Sequence, residues 1–68
     1  MEKISFLVTY YNQEKFVKDS LESIFALDIH CDFEVLVGDD GSTDETLNQV
    51  EKFQEKYPNK IKVFQITY

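Results

Sequence analysis

The sequence predicts a three-layer α/β domain with the element order β-α-β-α-β and three parallel strands. Two observations predict it. Short apolar, β-rich runs alternate with longer stretches of helical periodicity. The first run is nearly continuous in apolar residues, the pattern of a strand covered on both faces of a parallel sheet. Right-handed crossovers then join the strands in parallel, with the first strand innermost and the third outermost.

The first strand is predicted over Ile4 to Tyr10, a run holding Phe6, Leu7 and Val8. A helix follows from about Gln13 to Leu27. Asn12 is its expected N-cap, and Glu14 places a carboxylate in the first turn, where the helix dipole favours one. Phe16, Val17, Leu21, Ile24 and Phe25 recur at helical spacing and predict the face that packs on the sheet. Phe33 to Val37 is the second strand, ending at Gly38-Asp39-Asp40-Gly41-Ser42. The second helix is predicted from about Asp44 to Tyr57, with Ser42 and Glu45 as a capping box. Leu47, Val50, Phe53 and Tyr57 give its apolar stripe, and Pro58-Asn59 ends it. Ile61 to Ile66 is the third strand. The whole reads as a Rossmann-like arrangement. With no strand beyond it, the first strand would present an open edge, so the 68 residues are expected to form a single partial domain.

Composition narrows the function. A chain of 68 residues makes one small domain of marginal stability. Its hydrophobic fraction of 43% sets it apart from disordered tails. The formal net charge of −6 and the absence of arginine argue against nucleic-acid binding and against electrostatic docking on an anionic membrane. Cys31 is the single cysteine, so an intrachain disulfide is ruled out and a cytosolic, reducing location is expected. His30, Cys31 and Asp32 are adjacent and cannot all face one ion from a regular element, so a metal role there is discounted. No apolar run approaches the roughly 20 residues that cross a bilayer, so any membrane association is expected through other parts of the protein.

Open parallel sheets bind ligands beyond the carboxyl ends of their strands. Two loops fall there: Thr9-Tyr10-Tyr11-Asn12 and Asp39-Asp40-Gly41-Ser42-Thr43-Asp44. The adjacent carboxylates repel phosphate, and neither a GxGxxG nor a P-loop pattern offers a phosphate cradle. Such a crevice suits groups that donate hydrogen bonds: the imide N–H of uracil, the amide edge of guanine, ribose hydroxyls. Tyr11 offers a flat face for a base. The same residues also make good turn and capping chemistry, and that plainer reading stands beside the functional one.

The string Ile4-Ser5-Phe6-Leu7-Val8-Thr9-Tyr10-Tyr11-Asn12-Gln13-Glu14 resembles the opening of family 2 glycosyltransferases, an apolar strand followed by a Tyr-Asn-x-Glu turn. Ser20-Leu21-Glu22-Ser23-Ile24 resembles their first helix. Phe33 to Asp44 resembles their second strand and its Asp-Asp-Gly-Ser-Thr-Asp turn. The likeness runs in order along nearly the whole chain. It implies a GT-A fold that transfers a sugar from a UDP- or GDP-type donor to a glycan or lipid-linked acceptor, usually with Mg or Mn.

Carried over residue by residue, the resemblance implies that Thr9 and Tyr11 line the base pocket and that Asp40 accepts a hydrogen bond from the base. Asp39 supports the loop or reaches the ribose, and Glu14 matches the family glutamate. Ala26-Leu27-Asp28 departs from the glutamine common near the end of the first helix. The family's metal-binding Asp-x-Asp and general base belong beyond the third strand. No residue here is therefore assigned to metal binding or to the chemical step, and negligible activity is expected of the chain alone. The competing expectation is a non-catalytic α/β module that dimerises through an exposed sheet edge or apolar face. A phosphoacceptor receiver is disfavoured, because the first strand ends in Thr-Tyr-Tyr-Asn rather than in acidic residues.

Overall fold

The structure is a computed structural model, and it describes residues 3–27 and 31–66. Its elements follow the expected order: β1 (Lys3–Tyr10), α1 (Glu14–Phe25), β2 (Asp32–Asp39), α2 (Thr46–Lys56) and β3 (Ile61–Gln65). The strands are parallel in the order β1-β2-β3, with β2 central. Phe6 lies beside Val35, Tyr10 beside Asp39, and Val35 beside Ile61.

Consecutive strand order with like-handed crossovers places both helices on one sheet face. The core shows this directly. Val17 and Leu21 of α1 and Val50 of α2 are buried with Tyr10, Val35, Val37 and Ile61, which occupy alternate, same-facing strand positions. Phe6 meets Phe33 edge-on at 6.0 Å between centroids, and Phe25 stacks on Tyr57 at 3.9 Å. These rings close the end of the core away from the loops that follow β1 and β2.

The described residues thus supply two layers of the expected three. On the other face, Glu34 accepts a hydrogen bond from Ser5 at 2.8 Å, with Lys3 and Lys62 each 3.7 Å away. Ser5's hydrogen bond is the largest influence holding the Glu34 carboxyl below its ordinary range; the two lysines add to it. Nearer the loops this face is apolar. The run in β1 predicted cover on both faces, yet Leu7 is 67% exposed, because no helix of the described residues packs there.

Other local expectations shift for stated reasons. β2 runs two residues past Val37, since Gly38 and Asp39 still pair with Thr9 and Tyr10. Phe16 falls outside the buried stripe of α1 and is 63% exposed, because it points about 100° around the helix from its neighbour Val17, which is fully buried. Residue 13, not Asn12, holds the N-cap position of α1, and its side chain makes no cap. Ser42 and Glu45 do not form the expected capping box, because α2 starts at Thr46 and Asp44 caps it instead. His30 lies outside the described residues; Cys31 is half-buried and Asp32 pairs with Lys60 at 3.0 Å. No helix is long and apolar enough to cross a membrane among the described residues.

Candidate functional site

The two loops beyond β1 and β2 lie side by side because their parent strands are neighbours. The Asp40 N–H donates to the Tyr10 carbonyl at 2.9 Å and carries the strand pairing one step into the loops. From there the second loop supplies partners to the first. The Asn12 N–H donates to Ser42 Oγ at 3.0 Å, and the Thr43 N–H returns a bond to Asn12 Oδ1 at 2.8 Å. The Gln13 N–H donates to Thr46 Oγ1 at 2.9 Å and the Glu14 N–H to Asp44 Oδ2 at 3.3 Å. A helix entrance leaves its first N–H groups without intrahelical partners. Here the entrance to α1 is capped by residues about thirty positions further along the chain.

Asp44 serves both helices. Its Oδ1 accepts the Thr46 N–H at 2.9 Å and the Thr46 hydroxyl at 2.5 Å, while Oδ2 faces Glu14. Partial desolvation opposes ionisation, but the hydrogen bonds from Thr46 and Glu14 outweigh it and hold the Asp44 carboxyl below its ordinary value. A carboxylate therefore already occupies the positive end of α1, and phosphate would meet repulsion there.

The four candidate residues divide into two kinds. Asp39 is 1% exposed at the end of β2. Its Oδ2 accepts the Ser42 N–H at 3.0 Å, and its Oδ1 is buried without a partner. Of the two roles considered for Asp39, this contact is the loop-supporting one. Thr9, Tyr11 and Asp40 face outward. Thr9 is exposed beside Gly38, Tyr11 is 58% exposed, and Asp40 is half-buried. Among the described residues no hydrogen bond or ion pair involves the Asp40 carboxylate. An unpaired carboxylate and an exposed phenol ring at one end of the sheet can receive a planar ligand with N–H donors.

A hollow of about 270 Å³ lies on the outer side of the α1 entrance, lined by Asn12, Gln13, Glu14, Lys15, Phe16 and Asp44. Tyr11 and Asp40 are not in its wall, and the Asn12, Gln13 and Glu14 N–H groups there already donate to Ser42, Thr46 and Asp44. A metal site needs converging ligands, and among the described residues no group of three or more His, Cys, Asp or Glu side chains forms one.

Sequence reasoning missed Asn12, Asp44 and Thr46 as the clasp between the loops. A signal was available: Ser42, Thr43, Asp44 and Thr46 are more cap-forming side chains than one helix start requires.

Comparison with known proteins agrees with this arrangement. The family model described as "Glycosyl transferase family 2" matches residues 5–67. A poly(ribitol-phosphate) beta-N-acetylglucosaminyltransferase, TarS, of Staphylococcus aureus is 44% identical over 62 residues, covering 90% of this chain and 11% of the relative. An uncharacterised glycosyltransferase of Nostoc is 38% identical over 64 residues, covering 93% of this chain and 20% of the relative. The chain thus spans a fifth or less of the length of these two relatives. Among solved structures, TarS 1-349 in complex with UDP-GlcNAc superposes with a TM-score of 0.82 at 42% identity, over 96% of this chain and 18% of that one. The mannosyltransferase PcManGT of Pyrobaculum calidifontis, in complex with GDP-Man and Mn2+, gives a TM-score of 0.83 at 27% identity, over 94% of this chain and 19% of that one. The parallel sheet, its paired loops and the matched span place the chain in glycosyl transferase family 2.

Proposed function

We propose that these residues form the base- and ribose-binding part of a glycosyltransferase that moves a sugar from a nucleotide donor to a glycan or lipid-linked acceptor. One observation carries the proposal. The bond from the Asp40 N–H to the Tyr10 carbonyl brings the backbones at Tyr11 and Asp40 alongside each other at one end of the sheet, and the Asp40 carboxylate has no partner among the described residues. Uracil and guanine each carry a ring N–H that such a carboxylate can accept, whereas adenine and cytosine lack one. The related structures hold UDP-GlcNAc and GDP-Man, which fits a UDP- or GDP-type donor. Thr9 lines the pocket beside Tyr11, and Asp39 supports the loop through Ser42.

The chemical step belongs to groups outside the described residues. There a Mg or Mn ion would steady the leaving diphosphate, in keeping with the Mn2+ held by the related mannosyltransferase. In this reading the chain, which spans a fifth or less of the two relatives' length, transfers no sugar alone. The lone thiol of Cys31 and the acidic charge fit a cytoplasmic setting, with any membrane contact made elsewhere.

Titration of the chain with UDP, GDP, ADP and CDP, followed by amide chemical shifts, tests the binding claim. The expected result is saturable shifts at Thr9, Tyr11 and Asp40 with UDP or GDP, and weaker ones with ADP and CDP. Equal response to all four, or shifts confined to other surfaces, contradicts it. Sugar transfer by the purified chain contradicts the assignment of the chemical step.

A second reading rests on the uncovered sheet face, where Leu7 is 67% and Phe64 45% exposed. In it the chain is a non-catalytic module that pairs with a second copy. A dimer in sedimentation that Leu7→Asp dissolves would support this reading, and a monomer at high concentration would end it.

A further inference from the structure

The described residues hold two positive φ angles, one in each loop: Asn12 at 48° and Gly41 at 75°. Glycine adopts this conformation freely, and asparagine is among the few other residues that tolerate it. At Asn12 the left-handed step turns the chain from β1 into α1 and leaves Tyr11 projecting from the turn. The residues on either side of Tyr11 are then tied across to the second loop. On one side the Tyr10 carbonyl accepts the Asp40 N–H at 2.9 Å. On the other, Asn12 gives its N–H to Ser42 Oγ at 3.0 Å and takes the Thr43 N–H on Oδ1 at 2.8 Å. Ser42 is held in turn by the buried Asp39. The two ties bracket Tyr11 on one strand of the clasp and Gly41 on the other.

We propose that Asn12 is a positioning residue: its backbone turn and its paired bonds to Ser42 and Thr43 fix the Tyr11 ring relative to the Asp40 carboxylate. The inference rests on the proposed base-binding function and deepens it. Asn12 acts on the ligand only through Tyr11. A merely structural clasp would lower stability and weaken ligands regardless of what Tyr11 does. A positioning clasp loses its effect on affinity once the Tyr11 ring is gone.

A double-mutant cycle on UDP affinity, run well below the melting temperature, separates these roles. Asn12→Ala is expected to weaken UDP binding roughly three- to tenfold in the parent chain and by less than about twofold in a Tyr11→Ala background. Asn12→Asp, which keeps an acceptor and tolerates the left-handed turn, is expected to restore most of the affinity. Equal weakening in both backgrounds, or none in the parent, overturns the proposal. A second readout needs no nucleotide. Amide order parameters at Tyr11 and Thr43 are expected near the rigid value of about 0.85 in the parent and to fall toward about 0.6 in Asn12→Ala, with β2 unchanged. Unchanged order at both amides overturns the positioning role. If the parent chain binds no UDP or GDP, the proposed function fails while the order parameters still decide the case of Asn12.

Discussion

Thr46 Oγ1, buried at the start of α2, accepts the backbone N–H of Gln13 at 2.9 Å, just before α1 begins. One hydroxyl thereby joins the entrances of both helices, since it also donates to Asp44. Thr46→Val keeps the shape and removes both bonds. It leaves the Gln13 N–H and an Asp44 oxygen short of a partner. The expected loss is about 1–2 kcal/mol. For a domain of this size that lowers the melting temperature by roughly 4–8 °C per kcal/mol, read by circular dichroism. Thr46→Ser, which keeps the hydroxyl, should lose less.

Acid should loosen the same junction. The Asp44 carboxyl sits below its ordinary value of 3.8 in the folded chain, with hydrogen bonds from Thr46 and Glu14 outweighing desolvation. A depressed folded pKa gives stability that is full above the unfolded value and is lost as pH falls through the folded one. Urea midpoints measured from neutral pH downward should therefore decline below roughly pH 4. Asp44→Asn should make that decline shallower, with Glu34 and Asp32, also depressed, retaining the remainder. An identical acid slope in Asp44→Asn would show that the double cap is not formed.

The two glycines answer to different demands. Gly41 has a φ of 75° and open space around a built Cβ, so an alanine there meets backbone strain alone. The expected loss for Gly41→Ala is about 1–2 kcal/mol. Gly38 lies inside β2, where an added Cβ would stand 3.1 Å from the Phe64 ring and 3.2 Å from Ile66. Phe64 is 45% exposed and can tilt outward. The better strand propensity of alanine offsets part of the crowding, so Gly38→Ala should lose less than about 1 kcal/mol. Urea midpoints in the reverse order would contradict this division.

Much of the fold was legible because it is written in local patterns. The strand runs, the helical stripes of Val17, Leu21 and Val50, and the stop at Pro58 each depend on residues near in sequence. The errors came where partners are distant. Asn12 and Ser42 look like helix caps when read locally, but their bonds run across to each other's loops. Phe16 and Val17 are both apolar at the start of α1, yet they point about 100° apart and only Val17 meets the core. Asp39 and Asp40 are indistinguishable as an acidic pair. Alternation along β2 turns one inward to Ser42 and leaves the other outward, and the strand's two extra residues decide which.

The most direct test of the account is the UDP affinity of Asp40→Ala beside that of Tyr11→Ala, both measured by calorimetry against the parent chain. Loss of the hydrogen bond that the base offers to a carboxylate should weaken UDP about tenfold or more in Asp40→Ala. Loss of the stacking face should weaken it by roughly five- to tenfold in Tyr11→Ala. Unchanged UDP affinity in both variants would contradict the claim that these two residues hold the base.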